Sequence, residues 1–344
     1  MGAPEGITNY QWFRFNLYFV VEHLLGLENF NKILGERRSS LYELIDKNLK
    51  KSNRGQQLQM PSESNMEITL DEFRTKYIDN FLPVVFRNAA GNWPCVKKWD
   101  IDFFEKHYGE REVALSDNEG TIDKKQPQHF EILTFAKYID ELKKGSNKYL
   151  KFSRVMDDDE TLKKDFDLPW LRKFHQPTSF AENFLMFMGG SNTLTPTHCG
   201  FGHSMFIQIT GRKKWIFWQP NERIFFDPRA KRRQYNYTDA DPYNLNDPAF
   251  PIFKYAKRFE VILEPGDALW FPSHLWHHVE NLEGGISVVH KFVHLPSCFK
   301  SSKVLSTLFF LSTRPNIFFF FFYLKVFKRD YIYSRGQDQL GGHH

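Results

Sequence analysis

Apolar residues recur at helical spacing through the N-terminal part of the chain. The segments WFRFNLYFVVEHLLGL and SSLYELIDKNLKK both show this spacing, and Ser39 or Ser40 is suited to cap the second segment. The stretch that follows, residues 51–65, is polar and contains glycine and proline, which is typical of a connecting segment. The pattern predicts an N-terminal helical region with its linker over residues 1–60.

The pattern changes to short, strand-like runs from Lys148 onwards. These runs are rich in β-branched and aromatic residues and are separated by Gly, Pro and Asn, as in NFLMFMGG, SMFIQITG, KKWIFWQP and ISVVHKFVH. Evenly spaced short strands are typical of a barrel or jelly roll. Short amphipathic segments, such as LTFAKYIDELKKG, precede them. We therefore predict a mainly β fold with flanking helices, with the β-rich domain over residues 66–295.

The C-terminal segment, residues 296–344, is rich in phenylalanine and predicts a helical tail. Arg314 and Pro315 interrupt its apolar run, so each half has about ten residues and is too short to span a bilayer as a helix. We expect the tail to pack on the domain or on a second copy of it, so a homodimer through the tail is an open option. Contact with a membrane surface is the less favoured alternative.

Composition and charge exclude several classes of protein. Hydrophobic residues make up 41% of the chain and charged residues 25%, which is the balance of a soluble globular protein. Lys and Arg number 46 against 41 Asp and Glu, and this small excess is scattered, so we expect no nucleic-acid partner. The three cysteines, Cys95, Cys199 and Cys298, lie far apart, and the sequence does not open on a secretory signal. We therefore expect a cytoplasmic protein without disulfides.

Two histidines occupy the kind of position that metal ligands take in a small β-barrel. His198 lies in TPTHCGFGHSMFIQ just before a predicted strand, and His277 follows EPGDALWFPSHLW. The strand ends of a barrel can bring two such residues to one mouth. The pattern H-x-D…H gives non-haem iron two histidines and one carboxylate and leaves adjacent positions open. Here the carboxylate position holds Gly200.

These two motifs carry a resemblance to a known family. TPTHCG…QITGRKKWIFWQP and PGDALWFPSHLWHHVENLEGGISVV resemble the JmjC, cupin-like Fe(II)/2-oxoglutarate oxygenases, over about Ile68 to His294. The resemblance implies a double-stranded β-helix, the jelly-roll core of the cupins. It also implies Fe(II), 2-oxoglutarate and O₂ as the reagents of the site.

The resemblance assigns roles to individual residues by their position. His198 and His277 match the two iron ligands. Lys213, in GRKKW, matches the lysine that pairs with the distal carboxylate of 2-oxoglutarate, and a buried cation of this kind suits a dicarboxylate. Thr195 and Tyr149 match hydroxyl residues that bind the same carboxylate.

Three positions depart from the family pattern. Gly200 replaces the metal carboxylate, Ser204 replaces a common asparagine, and Lys291 falls where the asparaginyl hydroxylase of the family has asparagine. Three explanations of Gly200 are open. In the first, the site is silent and the protein is a binding module. In the second, a substitute ligand, with His203 as the first candidate, completes the site of a hydroxylase. In the third, the reaction has changed.

The changed reaction is the leading hypothesis. Related Fe(II)/2-oxoglutarate enzymes that halogenate aliphatic carbons carry Gly or Ala at the carboxylate position. Removing the carboxylate opens a coordination position and removes one negative charge. Chloride can occupy that position and restore that charge. The other residues of the site are retained, which favours changed chemistry over decay. We therefore predict a radical halogenase with Gly200 as the open halide position, which uses chloride on an aliphatic C–H group. Its expected substrate is an amino-acid-like small molecule or a protein side chain.

Overall fold

Fourteen β-strands form the centre of the protein in the computed structural model, which describes residues 1–52, 54–116, 130–230 and 236–312. The strands are β1 (Gln57–Leu58), β2 (Val84–Phe86), β3 (Glu112–Ser116), β4 (Phe130–Thr134), β5 (Tyr149–Ser153), β6 (Phe180–Gly189), β7 (Leu194–Cys199), β8 (His203–Gln208), β9 (Lys213–Trp218), β10 (Asn236–Tyr237), β11 (Arg258–Leu263), β12 (Ala268–Phe271), β13 (Trp276–Asn281) and β14 (Gly285–Val293).

Two sheets share these strands. The smaller sheet has the order β1-β11-β9-β13-β7-β10, and the larger sheet has the order β2-β12-β8-β14-β6-β5-β3-β4. Every neighbouring pair of these strands is antiparallel except β1 with β11. Consecutive strands alternate between the two sheets from β6 to β9 and again from β11 to β14. This alternation is the arrangement of a jelly roll, and it confirms the fold class that the sequence predicted.

Alternate residues of each core strand face either the interior between the sheets or the outside. In β9, Trp215 and Phe217 belong to the aromatic cluster between the sheets, whereas Ile216 and Trp218 belong to a second cluster outside the smaller sheet. Both faces of the strand are therefore apolar. This explains why β9 reads as a continuous hydrophobic run rather than as an alternating one.

Ten α-helices accompany the sheets within the described residues. They are α1 (Asn9–Leu25), α2 (Leu27–Leu49), α3 (Leu70–Phe73), α4 (Pro94–Lys98), α5 (Ile101–Tyr108), α6 (Phe135–Lys143), α7 (Val155–Asp158), α8 (Leu168–Arg172), α9 (Leu295–Ser301) and α10 (Lys303–Ser312). Helices α3 to α8 cover the outer face of the larger sheet, where Phe73, Phe104 and Phe135 are fully buried against residues such as Met186 and Trp270.

The N-terminal helices α1 and α2 cover the outer face of the smaller sheet. Phe15 and Phe19 of α1 belong to the same buried cluster as Trp218 of β9. A buried ion pair of 2.6 Å between Arg54 and Glu222 ties the segment after α2 to the β domain. Breaking a buried pair of this kind leaves an uncompensated charge and is costly. The N-terminal helices therefore share a hydrophobic core with the sheet that carries the site described below.

The C-terminal helices α9 and α10 continue from the last strand and pack back on the domain. Phe309 of α10 stacks on Phe201, with ring centroids 4.2 Å apart. The phenylalanine run after Ser312, with the dimer contact expected of it, lies outside the described residues. Within the described ranges, no helix combines the length and the apolar character needed to cross a membrane.

Candidate active site

Two neighbouring strands of the smaller sheet bring the candidate iron ligands together. β7 and β13 are antiparallel partners, and His198 lies directly opposite His277 in their register. The centroids of the two imidazole rings are 4.2 Å apart. Both rings line a cavity whose walls come from the two sheets. The register of two strands that are far apart in the sequence thus creates a pair of facing histidines.

A backbone carbonyl fixes the tautomer of each ring. His198 Nδ1 lies 2.8 Å from the carbonyl oxygen of Pro196, and His277 Nδ1 lies 2.9 Å from that of Leu275. Because a carbonyl oxygen can only accept, Nδ1 carries the proton and Nε2 keeps its lone pair. Burial lowers the pKa of His198 to about 4 and holds the pKa of His277 well below its ordinary value. Both imidazoles are therefore neutral near pH 7, which is the form that binds a metal ion.

Lys213 is almost fully buried beside the same cavity, at 1% exposure. Its Nζ donates a hydrogen bond of 2.9 Å to the Tyr149 hydroxyl and lies over the rings of Phe187 and Phe206. Burial lowers the pKa of Lys213 to about 7, with a smaller contribution from the charge of Lys151. No ion pair within the described part of the chain includes Lys213. A buried ammonium in this setting is stabilised by an anionic ligand.

Thr195 and Tyr149 complete the surroundings of Lys213. The Tyr149 hydroxyl is hydrogen-bonded to the side chains of Asn281 and Thr195, and burial raises the pKa of Tyr149, so the hydroxyl keeps its proton. Tyr149 and Thr195 both line the cavity. The structure therefore brings together the three side chains that the resemblance assigns to one carboxylate. Asn281, at the end of β13, is an additional member that the sequence analysis did not single out.

Gly200 directly follows β7 and lines the cavity with His198. Its carbonyl oxygen accepts a hydrogen bond of 2.9 Å from the backbone N–H of His274. Among the described residues that line this cavity, none carries a carboxylate, and the one permanent charge belongs to Lys291. Position 200, which holds the metal carboxylate in the H-x-D pattern, therefore carries no charge in this chain.

Lys291 and Ser204 line the cavity from the larger sheet. The two residues are opposite each other in the register of β14 and β8, and both are buried. The charge of Lys291 contributes to the low pKa of both His198 and His277, so it acts within electrostatic reach of the pair. The sequence marked Lys291 and Ser204 only as departures from the family. Their inward direction follows from strand alternation, because Val289, two residues before Lys291, also lines the cavity.

The structure places His203 away from this cavity. Along β8, Ser204 and Phe206 line the cavity, so alternation puts His203 on the outer face of the larger sheet. The His203 ring packs against Trp270 and Phe292, with centroids 5.7 Å and 5.4 Å apart. The structure thus does not bring His203 to the facing histidine pair as a third ligand.

Replacing His203 by alanine should destabilise the protein by about 2 kcal/mol or more without weakening its affinity for a metal ion. The change opens a cavity in a buried aromatic cluster but leaves the histidine pair intact. Thermal melts and isothermal titration with Mn(II), a redox-stable substitute for Fe(II), measure the two effects separately. His277→Ala is the matched variant in which we expect metal binding to disappear. Loss of Mn(II) binding by a folded His203→Ala variant would contradict the placement of His203.

A second group of ligand-type side chains lies on the outer face of the larger sheet. One ligand atom each from His175, Glu182 and His290 lies within 4.8 Å of the other two, a spacing that a metal ion can bridge. Nε2 of His290 is 2.8 Å from Glu182 Oε1, and Arg172 binds both oxygens of the same carboxylate at 2.8 Å. None of the three residues lines the cavity described above. Glu182 thus links His290 and Arg172, whereas His175 joins the group by stacking on His290, with ring centroids 5.1 Å apart. The sequence analysis did not single out this group.

The fold and the site together define a class of protein. A jelly roll carries two neutral, facing histidines and a buried lysine around one cavity between its sheets, which is the architecture expected from the resemblance. The model of the cupin-like domain family matches residues 70–297, more than half of the chain. The chain therefore belongs to the cupin-like family, in its JmjC-type group of the Fe(II)/2-oxoglutarate oxygenase superfamily.

Several known proteins are similar to this chain. JmjC domain-containing protein D of Dictyostelium discoideum is 26% identical over 241 residues, covering 64% of this chain and 53% of that protein. Lysine-specific demethylase 8 of Xenopus tropicalis is 26% identical over 222 residues, covering 64% of this chain and 50% of that protein. The 2-oxoglutarate and iron-dependent oxygenase JMJD4 of Mus musculus is 25% identical over 240 residues, covering 62% and 56%. The chain thus spans about half the length of these relatives.

Proposed function

We propose that this protein is an Fe(II)/2-oxoglutarate-dependent enzyme and that its reaction is the halogenation of an aliphatic C–H group. The arrangement of His198 and His277 carries the proposal. A backbone carbonyl holds the Nδ1 proton of each ring, so Nε2 of each ring keeps its lone pair in the cavity beside the buried Lys213. The similarity to JMJD4, whose name states iron and 2-oxoglutarate dependence, supports the same chemistry.

The residues fit the two reagents. Neutral imidazole nitrogens are suitable ligands for Fe(II), and His198 and His277 would hold the ion. Lys213, with Tyr149 and Thr195, would hold the distal carboxylate of 2-oxoglutarate through a charge-assisted hydrogen bond. When bound, the iron and its cosubstrate would supply the chemistry that activates O₂ and removes a hydrogen atom from an unactivated carbon.

Gly200 supports halogenation rather than hydroxylation. The residue contributes neither a ligand atom nor a negative charge, so a monovalent anion can occupy the position that a carboxylate takes in the H-x-D pattern. The nearby positive charge of Lys291 favours an anion in this part of the cavity. We propose chloride as that anion.

The proposed substrate class follows from the lining of the cavity. Aromatic and aliphatic side chains such as Phe152, Phe271 and Leu275 form most of the wall, with few polar groups. An amino-acid-like small molecule or the end of a protein side chain suits such a site. We propose these two classes as substrates, and no nucleic acid.

A silent binding protein is the second candidate, and Lys291 is the observation that favours it. An ammonium close to two neutral histidines opposes the binding of a divalent cation, and the described lining residues include no carboxylate that would attract one. In this case the cavity would hold an organic anion without catalysing its oxidation.

Anaerobic titration of the metal-free protein with Fe(II) and 2-oxoglutarate, with and without chloride, separates the two candidates. The enzyme proposal expects a weak visible charge-transfer band that shifts when chloride is added. Consumption of 2-oxoglutarate after admission of O₂ is the second readout. If no band forms at any Fe(II) concentration, the halogenase proposal is wrong and the binding protein is favoured.

A further inference from the structure

We propose that His175, Glu182 and His290 form a second metal site, which takes Zn(II) and lies on the outer face of the larger sheet. One ligand atom from each side chain lies within 4.8 Å of the other two. None of the three residues lines the cavity that contains the facing histidine pair. The site is therefore separate from the iron site of the proposed function, and the inference does not rest on that function.

A β-bulge in β6 brings Glu182 next to His290. Near its start, β6 has two residues, Ala181 and Glu182, where β14 has only Phe292. Ala181 has a φ of 56°, a left-handed conformation that costs energy for a residue with a side chain. Bulges redirect the side chains that follow them. Here Oε1 of Glu182 lies 2.8 Å from Nε2 of His290, a separation that two ligands of one metal ion can have.

The hydrogen bonds of the fold leave ligand capacity on both imidazole rings. Among the described residues, Nε2 of His175 and Nδ1 of His290 are buried and have no hydrogen-bond partner. A buried polar atom without a partner is costly. Binding of a metal ion to this group thus breaks at most one hydrogen bond of the two rings, the bond between His290 and Glu182.

The charge state of the group near pH 7 suits Zn(II). Burial lowers the pKa of His175 to about 4 and also lowers the pKa of His290, so both rings are neutral. Burial acts to raise the pKa of Glu182, but hydrogen bonds from His290 and Arg172 outweigh it and lower this pKa to about 2. Two neutral imidazoles and one ionised carboxylate are the ligand forms that zinc binds.

Arg172 affects both the geometry and the affinity of the site. Its guanidinium donates to both oxygens of Glu182 at 2.8 Å, which fixes the orientation of the carboxylate. Hydrogen-bonded partners of this kind orient the ligating carboxylates of metal sites. The positive charge of Arg172 lowers the affinity for a cation, but each carboxylate oxygen has a second lone pair for a metal ion. The two imidazole ligands favour Zn(II) over the harder ions Mg(II) and Ca(II).

The bound ion would connect three segments of the chain. His175 follows α8, Glu182 belongs to β6, and His290 belongs to β14. Because zinc bonds are about 2.0–2.2 Å long, the ligand atoms need to approach each other by at most about 1–2 Å, which the half-buried His175 can supply. Lys291, the residue after His290, lines the cavity on the other face of the sheet. The ion would therefore stabilise the strands that form this wall of the cavity.

Titration of a variant without the other histidine pairs tests the inference. The full chain with His198, His277, His343 and His344 replaced by alanine lacks the cavity pair and the two terminal histidines, which also bind divalent metals. After treatment with EDTA and its removal, isothermal titration should show that this background variant binds about one Zn(II) per chain. Thermal melts should show a higher melting temperature with Zn(II) than without it, because the ion binds only the folded chain.

Single changes in this background identify the ligands. His175→Ala and Glu182→Gln should each weaken Zn(II) binding by at least about tenfold and reduce the rise in melting temperature. Glu280→Gln is the matched control, because Glu280 contacts a histidine, His278, at 3.0 Å but belongs to no three-ligand group among the described residues. The control should bind Zn(II) as the background variant does.

Two results would overturn the inference: a folded background variant that binds no Zn(II), or an unchanged affinity in a folded His175→Ala or Glu182→Gln variant. Thermal melts without metal establish the folding of each variant. The outcome is distinct from that of the proposed function, because every protein in this experiment lacks the cavity histidines.

Discussion

Replacing Lys213 by methionine should weaken the binding of 2-oxoglutarate by at least about 100-fold and raise the melting temperature of the ligand-free protein. The first effect follows because the buried ammonium is the group that compensates the distal carboxylate, and truncating one partner of a buried charge pair costs about 2–5 kcal/mol. The second follows because the fold itself provides Lys213 with one hydrogen bond, to Tyr149, and no ion pair within the described residues. Removing an uncompensated buried charge stabilises the empty pocket.

Titration calorimetry and thermal melts on the same preparations measure the two effects. Lys214→Met is the matched control and should equal the wild type in both, because Lys214 pairs with Glu260 and does not line the cavity. The pH dependence provides a further check, because burial lowers the pKa of Lys213 to about 7. As pH rises above about 7 the free protein loses the ammonium, so wild-type affinity should fall by up to about tenfold per pH unit, whereas the methionine variant should show no such fall. A variant that binds 2-oxoglutarate normally would remove Lys213 from the site.

Introducing aspartate at Gly200 should raise the affinity for Mn(II) or Fe(II) by at least about tenfold and abolish the response of the site to chloride. The aspartate supplies a third ligand and a negative charge, which offsets the positive charge of Lys291 and fills the position proposed for the halide. Within the described residues, Gly200 is not among the glycines with a left-handed φ, so a side chain is compatible with its backbone. With substrate present, the variant should hydroxylate or lose activity, and it should no longer chlorinate.

Gly200→Asn is the matched control, because asparagine has nearly the shape of aspartate without its charge. We expect the asparagine variant to gain much less metal affinity than the aspartate variant. The readouts are Mn(II) titration and the chloride shift of the anaerobic Fe(II)–2-oxoglutarate band. Equal affinities of the two variants, or an aspartate variant no better than the wild type, would show that position 200 is not next to the metal.

The sequence by itself determined the class of fold. Each core strand must place alternate residues on a buried face, and turns between short strands need Gly, Pro or Asn, so the jelly roll is visible in local patterns such as SMFIQITG and KKWIFWQP. The two motifs also nominated His198 and His277, and the family resemblance that these motifs carry nominated Lys213. The pattern of amphipathic segments likewise indicated the flanking helices.

Only the tertiary structure decided which of these residues meet. His198 faces His277 because β7 and β13 pair in one register, and Tyr149 reaches Lys213 because β5 and β9 belong to opposite sheets that enclose one cavity. The phase of a strand decides which side chains point inward, and it depends on where the strand begins. For this reason Lys291 lines the cavity, whereas His203, which the sequence suggested as a third ligand, lies on the outer face of the larger sheet.

The N-terminal helices illustrate the same limit. Helical spacing in α1 shows that Phe15 and Phe19 share a face that needs burial. The spacing carries no information about the surface that buries them, which is the outer side of the smaller sheet around Trp218. Local sequence fixes the periodicity of an element because backbone geometry is local. The partner of each face depends on contacts between distant residues, and these form only when the whole chain packs.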